Sequence, residues 1–427
     1  MTKFYNYTLP HGGKLLYVKN KISKISIIDI NFDCGARIDT IPGISHFVEH
    51  MFFSGTDELS KDEINKKYFA FQGANASTCY TSINFYAKPF TDKLSDYVSF
   101  VAEIITKSTF TPEAVEKEKP IVKQEIVMQK DKFGEISSRL NYHNLVCTEV
   151  SINGTLGREK TVSTITSEDV KNYVKKWFVS ENLRVTVTSP LSFSKVKKMV
   201  INALEKKLPS NKEFKPLALY APNVKDDSFY VVKKQDNKKV YVYVNFTFDR
   251  SWKDYVWCSK VDVLMDMLND VADGVNKSLR TNKSLVYSSG FSIGCKDDNS
   301  YLKFYTNCEE ANVNEVIKTL SEYVSTTLKN GLNADLFDKV KKNLDYSKAA
   351  REPRATRRYN KLYDFVNFGK LLNGKKLNKL VRETTLEECN EMFKEIFASP
   401  RVSATIYGVS DPKNIMKKSE FQKLFKF

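Results

Sequence analysis

Two of the four histidines in this 427-residue chain stand four positions apart, in the segment GISHFVEHMFFSG at residues 43–55. Positions i, i+3 and i+4 of a helix share one face, so His46 and His50 can direct both imidazoles at one ion, with Glu49 beside them. Two histidines and one carboxylate are a common ligand set of catalytic zinc, which keeps one position for water. The ion lowers the pKa of that water, and a nearby carboxylate can take up its proton during attack on a carbonyl. HxxEH, the inverted form of HExxH, therefore predicts a zinc-type hydrolytic site.

The alternative is a buried helix whose two histidines only pack or form hydrogen bonds. With four histidines in the chain, HxxEH is expected by chance on the order of 0.001–0.01 times, which favours the metal site. Manganese or cobalt stays open as the metal, because two histidines and a glutamate bind these ions as well. The motif itself does not contain the third ligand.

HxxEH followed by FFSGT resembles the pitrilysin/insulinase family of zinc peptidases, which includes the mitochondrial processing peptidases and their bacterial relatives. In that family the third zinc ligand is a glutamate about 75 residues downstream, and a second glutamate precedes it by seven. The segment VEKEKPIVKQEIV supplies Glu125 and Glu118 at these spacings. The resemblance therefore implies one zinc ion per chain on His46, His50 and Glu125, with Glu49 and Glu118 as candidate catalytic residues.

The spacing of the two downstream glutamates also has a helical meaning. Seven residues are two helical turns, so Glu118 and Glu125 face the same way. Pro120 lies between them, removes a backbone hydrogen bond and should kink the helix. We therefore expect a helix that begins at Thr111 and Pro112, and a kink that could change the direction of Glu118.

Further stretches of the first half match the family. GANASTCYTS resembles its edge strand beside the zinc helix, and there the strand binds the substrate backbone by β-augmentation. The residues NASTCYTSINFYAKP are predicted to form one strand. The matching positions are Gly73, Asn75, Ala76 and Thr78.

In the second half, SLRTNKSLVYSS resembles a family element that contacts the substrate main chain. The match assigns Arg280 and Tyr287 to this role, since a guanidinium and a phenol can hold carbonyls and an oxyanion. Ser284 stands where the family has glycine. A surface arginine and an ordinary strand tyrosine are the alternative interpretation.

The order of strand-like and helical patterns predicts two α+β halves of similar length, which indicates an internal duplication. The fold expected from the resemblance is two homologous α+β domains, each an antiparallel sheet packed with helices, forming one clamshell half. We predict a catalytic zinc-binding domain over 1–208, a proline-containing linker over 209–224 and a degenerate domain over 225–427. Where the first half has SHFVEHMFF, the second has KVDVLMDML, without histidine.

The bulk composition limits the remaining possibilities. No run of 18 or more apolar residues predicts a transmembrane helix, and the N-terminus does not resemble a signal peptide. Seven scattered cysteines without CxxC spacing favour a reducing compartment, hence an intracellular location in the cytoplasm or an organelle matrix. The net charge of +16 is spread along the chain, so a nucleic-acid partner is disfavoured. The densest basic cluster comprises Arg351, Arg354, Arg357 and Arg358.

Three functions remain open at this point. The first is a zinc endopeptidase acting on peptides or unfolded, presequence-like segments. The second is a non-catalytic scaffold or assembly subunit, although such relatives usually lose motif residues that this chain retains. The third is a basic nucleic-acid-associated protein, whose binding would depend on salt. Family members of this length imply a dimer, either a homodimer or a heterodimer with a related subunit.

Overall fold

The computed structural model describes residues 4–21, 23–71, 73–130, 132–146, 154–217, 227–234, 239–251, 254–295, 300–349, 374–398 and 401–427. The cluster around Arg351 lies outside these residues. The described chain forms two compact α+β units, each with its own sheet and apolar core. The predicted α+β class with two domains is confirmed.

The first unit contains a six-stranded mixed sheet. Its strands are β1 (Phe4–Thr8), β2 (Lys14–Lys19), β3 (Ile27–Phe32), β4 (Asn75–Thr78), β5 (Ile83–Ala87) and β6 (Leu183–Ser189). The spatial order is β1-β2-β6-β3-β5-β4, and β2 runs parallel to β6 while the other neighbours are antiparallel. The sheet predicted as antiparallel thus contains one parallel pair in this unit.

The described part of the first unit contains seven α-helices, and α5 (Phe133–Val146) belongs to the second unit. They are α1 (Ile44–Met51), α2 (Lys61–Phe69), α3 (Leu94–Lys107), α4 (Pro112–Lys130), α6 (Glu159–Thr164), α7 (Ser167–Trp177) and α8 (Phe193–Ala203). Their apolar faces meet the sheet in a core rich in phenylalanine, in which the Phe52 and Phe178 rings lie 4.7 Å apart. The first part of the predicted linker belongs to this unit, because Phe214 packs edge-on against Trp177.

The second unit repeats the sheet of the first. Its strands are β7 (Phe229–Lys233), β8 (Val240–Phe248), β9 (Ser289–Cys295), β10 (Ser300–Cys308) and β11 (Arg401–Val409). The order β7-β11-β8-β10-β9, with β7 parallel to β11, matches β2-β6-β3-β5-β4 strand for strand. This shared topology agrees with an internal duplication.

The helices of the second unit include one from the first half of the sequence. They are α5 (Phe133–Val146), α9 (Tyr255–Leu268), a π-helical segment (Lys277–Asn282), α10 (Val313–Asn330), α11 (Ala334–Ala349), α12 (Gly374–Glu383), α13 (Leu386–Phe397) and α14 (Lys418–Leu424). Helix α9 follows β8 in the second unit, as α1 follows the corresponding strand β3 in the first. It contains no histidine.

Helix α5 packs on the second sheet through polar side chains. Asn141 and Asn245 exchange amide hydrogen bonds of 3.1 and 2.8 Å, and Asn144 donates to Thr405 over 2.8 Å. Residue Asn245 is fully buried. The predicted domain boundaries at 208 and 225 assign α5 to the first domain, whereas the structure places it in the second unit.

Candidate metal centre

Helix α1 has an apolar face and a polar face. Phe47, Val48 and Met51 are fully buried in the core of the first unit, and each contributes about 2 kcal/mol through burial. At 100° per residue, the opposite face presents the two histidines and Glu49. A helix of only eight residues is thus held by its core face, which fixes the direction of the chemical face.

Asp39 and two glycines position the start of α1. Asp39 Oδ2 accepts hydrogen bonds from the Gly43 backbone nitrogen (3.0 Å) and from Ser45 Oγ (3.2 Å). Gly43 has a φ of +96°, and a Cβ there would lie 2.4 Å from the Leu156 carbonyl oxygen. Gly157 approaches from the facing loop, where a Cβ would lie 2.1 Å from the Pro42 carbonyl oxygen. These backbones come too close for side chains, so only glycine fits at either position.

Helix α4 brings the downstream glutamates to α1. Thr111 accepts a hydrogen bond from the Ala114 nitrogen over 3.2 Å at the start of the helix, as predicted. The helix continues through Pro120 to Lys130. The kink expected at Pro120 does not turn Glu118 away, because Glu118 Oε1 lies 3.0 Å from His50 Nδ1.

Three side chains converge on one point in the described part of the chain. Glu125 Oε2 lies 3.6 Å from His46 Nε2 and 3.5 Å from His50 Nε2. All three potential ligand atoms lie within 4.8 Å of one another. Ligands about 2.0–2.2 Å from a tetrahedral zinc ion are separated by about 3.4 Å. Two neutral imidazoles and one carboxylate at this spacing fit a zinc ion.

The two histidines differ in their electrostatic surroundings. Burial lowers the pKa of His46 to about 4, and the neighbouring His50 acts in the same direction. Burial also acts to lower the pKa of His50, but hydrogen bonds with Glu118 and Glu125 raise it to about 9. In the metal-free protein a proton on His50 therefore competes with a metal ion, since binding requires the neutral ring.

The carboxylate of Glu118 is buried between two partners. Its Oε1 atom contacts His50 Nδ1, and Lys61 Nζ lies 2.6 Å from its Oε2 atom. Burial alone would raise the pKa of Glu118, but His50 and Lys61 hold it below the ordinary value. Lys61 carries no local sequence signal of this contact, because 57 residues separate it from Glu118.

Glu49 lies beside the ligands and is held from the adjacent strand. Thr78 Oγ1 donates a 2.6 Å hydrogen bond to Glu49 Oε2. Burial raises the pKa of Glu49 above its ordinary value, and the Thr78 hydrogen bond opposes this shift. A partly buried carboxylate with a raised pKa has the properties of a general base.

The strand that carries Thr78 is the last of its sheet. The segment predicted as one strand is a hairpin, β4 and β5, and Cys79 donates to the Ser82 carbonyl across the turn. The polar run CYTS contains no glycine or proline to mark a turn, which explains the wrong prediction. Asn75, Ala76 and Thr78 lie on β4, whose outer side pairs with no strand among the described residues.

A cavity of about 270 Å³ adjoins this group. Its ionisable lining residues are Glu49, His50, Lys61 and Glu118. The remaining lining residues are Phe53, Asn65, Tyr68, Phe69, Asn75 and Ala76.

Arg280 and Tyr287 lie together in the second unit. The Arg280 guanidinium stacks over the Tyr287 ring at 5.0 Å, and Tyr287 is 75% exposed. Ser284, which replaces the family glycine, has a left-handed φ of +53°. Ser284 therefore adopts a backbone conformation that favours glycine.

Comparison with known protein families gives a match in each half of the chain. The protein-family model described as "Insulinase (Peptidase family M16)" matches residues 14–156, which contain the converging histidines and Glu125. "Peptidase M16 inactive domain" matches residues 164–344. The chain belongs to the peptidase M16 (insulinase) family.

Relatives of this M16 chain cover most of its length at low identity. An uncharacterised zinc protease of Bacillus subtilis, YmxG, is 22% identical over 90% of this chain and 96% of its own. The β subunit of the mitochondrial processing peptidase of Caenorhabditis elegans is 21% identical over 94% of this chain and 89% of its own.

Solved structures share the fold. The periplasmic protease PqqL of Escherichia coli superposes with a TM-score of 0.81 at 17% identity, over 99% of this chain and 50% of PqqL. An M16 inactive-domain structure from Pseudomonas fluorescens gives a TM-score of 0.78 at 17% identity, over 97% of this chain and 100% of its own.

The described helices include none of the length and apolarity that a membrane span requires. The five cysteines whose side chains are described are free thiols.

Proposed function

We propose that this chain is a zinc-dependent endopeptidase that cleaves extended peptide segments. The proposal rests mainly on Glu49, whose carboxylate lies beside His46, His50 and Glu125 and is held by Thr78 from the edge strand β4. A base, a ligand set and a backbone able to bind a peptide thus occur within one unit. The chain also keeps every residue of the motif that non-catalytic relatives usually lose.

The residues of the first unit would divide the chemistry as follows. His46, His50 and Glu125 would hold the zinc ion, which when bound acidifies water and polarises the scissile carbonyl. Glu49 would accept the proton of the attacking water on Oε1, because Oε2 is occupied by the Thr78 hydroxyl. Glu118 would keep the proton of His50 on Nδ1, so that Nε2 is free to bind metal.

Substrate recognition would rely mainly on the peptide backbone. The outer edge of β4, with Asn75 and Ala76, offers main-chain groups to an extended peptide by β-augmentation. The cavity of about 270 Å³ beside Glu49 has aromatic walls from Phe53, Tyr68 and Phe69. We expect it to take an apolar or aromatic side chain next to the cleaved bond. At positions outside this cavity, binding through the main chain should leave the side-chain preference loose, which suits presequence-like segments.

The proposal also includes a partner chain and a cellular location. Relatives named as processing-peptidase β subunits suggest that this chain works with a second chain, either identical or related. Arg280 and Tyr287 would contribute contacts to the substrate main chain, because both are exposed and stacked on each other. The free cysteines fit a reducing, intracellular compartment.

The test combines metal analysis with peptide cleavage. We would measure bound zinc by elemental analysis and cleavage of an unstructured peptide library for the native chain, Glu49→Gln and the control Glu113→Gln. Glu113 is exposed on the same helix as Glu125. We expect one zinc ion per chain in all three, and a loss of about 10²–10⁴-fold in cleavage for Glu49→Gln only.

Three results would count against the proposal. A native chain without zinc and without cleavage would refute the metal centre. Stoichiometric zinc without cleavage, also after addition of candidate partner subunits, would favour the scaffold or assembly subunit. Binding of DNA or RNA that weakens with salt would favour the third alternative.

A further inference from the structure

Lys61 is the first residue of α2, and its position in that helix is fixed by the preceding serine. The Ser60 backbone nitrogen donates to Glu63 Oε2 over 2.9 Å, and Ser60 Oγ accepts from the Glu63 nitrogen, which together form a capping box. A cation at the first turn of a helix is disfavoured by the helix dipole. The local structure of α2 therefore gives no reason for a lysine here.

The reason lies across the site, in the partner of Lys61. The Glu118 side chain is 5% exposed, and among the described residues each of its oxygen atoms has one partner: His50 Nδ1 at 3.0 Å for Oε1 and Lys61 Nζ at 2.6 Å for Oε2. A buried carboxylate with a single partner on one oxygen can rotate about its last torsion. A second partner on the other oxygen fixes the plane of the carboxylate, and with it the direction offered to the imidazole.

The balance of charges at the site gives a second reason for a lysine at position 61. Glu49, Glu118 and Glu125 bring three carboxylates around two histidines. A divalent ion balances only two of these charges. Lys61, whose ammonium group contacts the most buried of the three carboxylates, balances the third.

We propose that Lys61 is a positioning residue of the metal centre, which orients Glu118 so that the His50 ring presents Nε2 to the metal ion. This inference rests on the proposed function to the extent that the site binds zinc. In this arrangement His50 binds the metal ion, the carboxylate of Glu118 orients His50, and the ammonium group of Lys61 orients Glu118. Partners of metal-binding histidines typically change metal affinity by 10–100-fold when removed, and a residue one step further out should act more weakly.

The alternative is that the contact of Lys61 with Glu118 only stabilises the packing of α2 on α4. That role would lower the melting temperature of the zinc-free protein when Lys61 is replaced and would leave the zinc dissociation constant unchanged. Metal affinity therefore distinguishes positioning from a tie between helices, and it can be measured without any substrate.

The experiment determines zinc dissociation constants by competition with a chromophoric chelator. The proteins are the native chain, Lys61→Met, Lys61→Arg and the control Lys66→Met, which changes an exposed lysine of the same helix. We expect a rise of about 3–10-fold in the dissociation constant for Lys61→Met. Lys61→Arg should recover most of the affinity, because it keeps a donor cation, and Lys66→Met should behave as the native chain.

A double-mutant cycle shows whether Lys61 acts through Glu118. In a Glu118→Gln background, Lys61→Met should leave the zinc dissociation constant within about twofold, because the group that Lys61 orients is already altered. Full additivity of the two changes, or an unchanged dissociation constant in Lys61→Met alone, would overturn the inference.

The outcomes separate this inference from the proposed function. A native chain that binds no zinc overturns both. A native chain that binds zinc but cleaves no peptide contradicts the endopeptidase only, and the affinities of the Lys61 variants still decide the role of Lys61. Zinc binding that is insensitive to Lys61 overturns the present inference and leaves the proposed function intact.

Discussion

Replacing Asp39 with asparagine should stabilise the first unit at neutral and alkaline pH, and most of the gain should vanish in acid. Asp39 Oδ2 accepts hydrogen bonds from Gly43 and Ser45 at the start of α1, whereas its Oδ1 atom is buried and has no hydrogen-bond partner among the described residues. Burial raises the pKa of Asp39 from 3.8 to about 7, against the hydrogen bonds from Gly43 and Ser45. The folded protein therefore binds the Asp39 proton more tightly than the unfolded chain.

The sign and size of the effect follow from this difference. The contribution of Asp39 to stability is complete below about pH 4 and is lost as the pH rises through 7. With about 1.4 kcal/mol per pKa unit, the carboxyl group destabilises the fold by about 1.5 kcal/mol at pH 5 and about 4 kcal/mol at pH 8. Asparagine keeps one acceptor oxygen, but its amide nitrogen is left without a partner at a cost of about 1–2 kcal/mol. The net gain should be about 2–3 kcal/mol at pH 8 and near zero at pH 5.

Calorimetric melting of the zinc-free protein between pH 5 and pH 8 measures this effect. For a unit of this size, a gain of about 2–3 kcal/mol raises the melting temperature by about 5–10 °C. The control is Asp57→Asn, which changes an exposed aspartate and should give parallel curves for mutant and native chain. A melting-temperature difference for Asp39→Asn that is equal at pH 5 and pH 8, or a loss of stability at pH 8, would refute the reasoning.

Three other substitutions test the site and the fold. Thr78→Val removes a donor that lowers the pKa of Glu49, so the acid limb of the pH profile of kcat/KM for peptide cleavage should move to higher pH. Gly43→Ala should destabilise the first unit by about 2–4 kcal/mol and weaken zinc binding, because its φ is +96° and the new Cβ meets a carbonyl oxygen at 2.4 Å. Ser284→Gly should stabilise the second unit by about 1 kcal/mol in thermal unfolding, because it relieves a left-handed φ of +53°.

Each of these has a matched control. Thr78→Ser keeps the hydroxyl group and should retain the native pH profile. Gly12→Ala introduces a Cβ at a φ of +100° with its nearest neighbour 3.7 Å away, so it isolates backbone strain from the clash at Gly43. Ser284→Ala retains the strain and should bring no gain. Equal effects of a variant and its control would contradict the corresponding explanation.

The pairing of His46 with His50 could be predicted from the sequence because its geometry is local. His46 and His50 are brought together by one helix, and the spacing of Glu118 and Glu125 is set by another. The core face of α1 is equally visible in the sequence as apolar residues at helical spacing. The meeting of α1 and α4 came from a family resemblance, because no local rule predicts which two helices pack together.

Contacts between distant segments escaped prediction. Lys61 looks like any lysine on a charged helix, and only the packed structure brings it to Glu118. Asp39 lies four residues before Gly43, outside the usual helix-capping position, so its contact with the start of α1 also lacked a local signal. In α5, Asn141 and Asn144 resemble solvent-facing residues, so the sequence gives no indication that they bind a buried sheet.

The placement of α5 has a consequence for dividing the protein. The sequence could be cut in the linker to obtain one half with the metal centre and one without. Such a cut would leave α5 on the first fragment with its asparagine amides unpaired, and would uncover Asn245 and Thr405 on the sheet of the second. The duplicated topology suggests two independent modules, but α5 lies in the first half of the sequence and belongs to the second unit. Separately produced halves should therefore be poorly soluble alone and recover structure on mixing, as complementing fragments do.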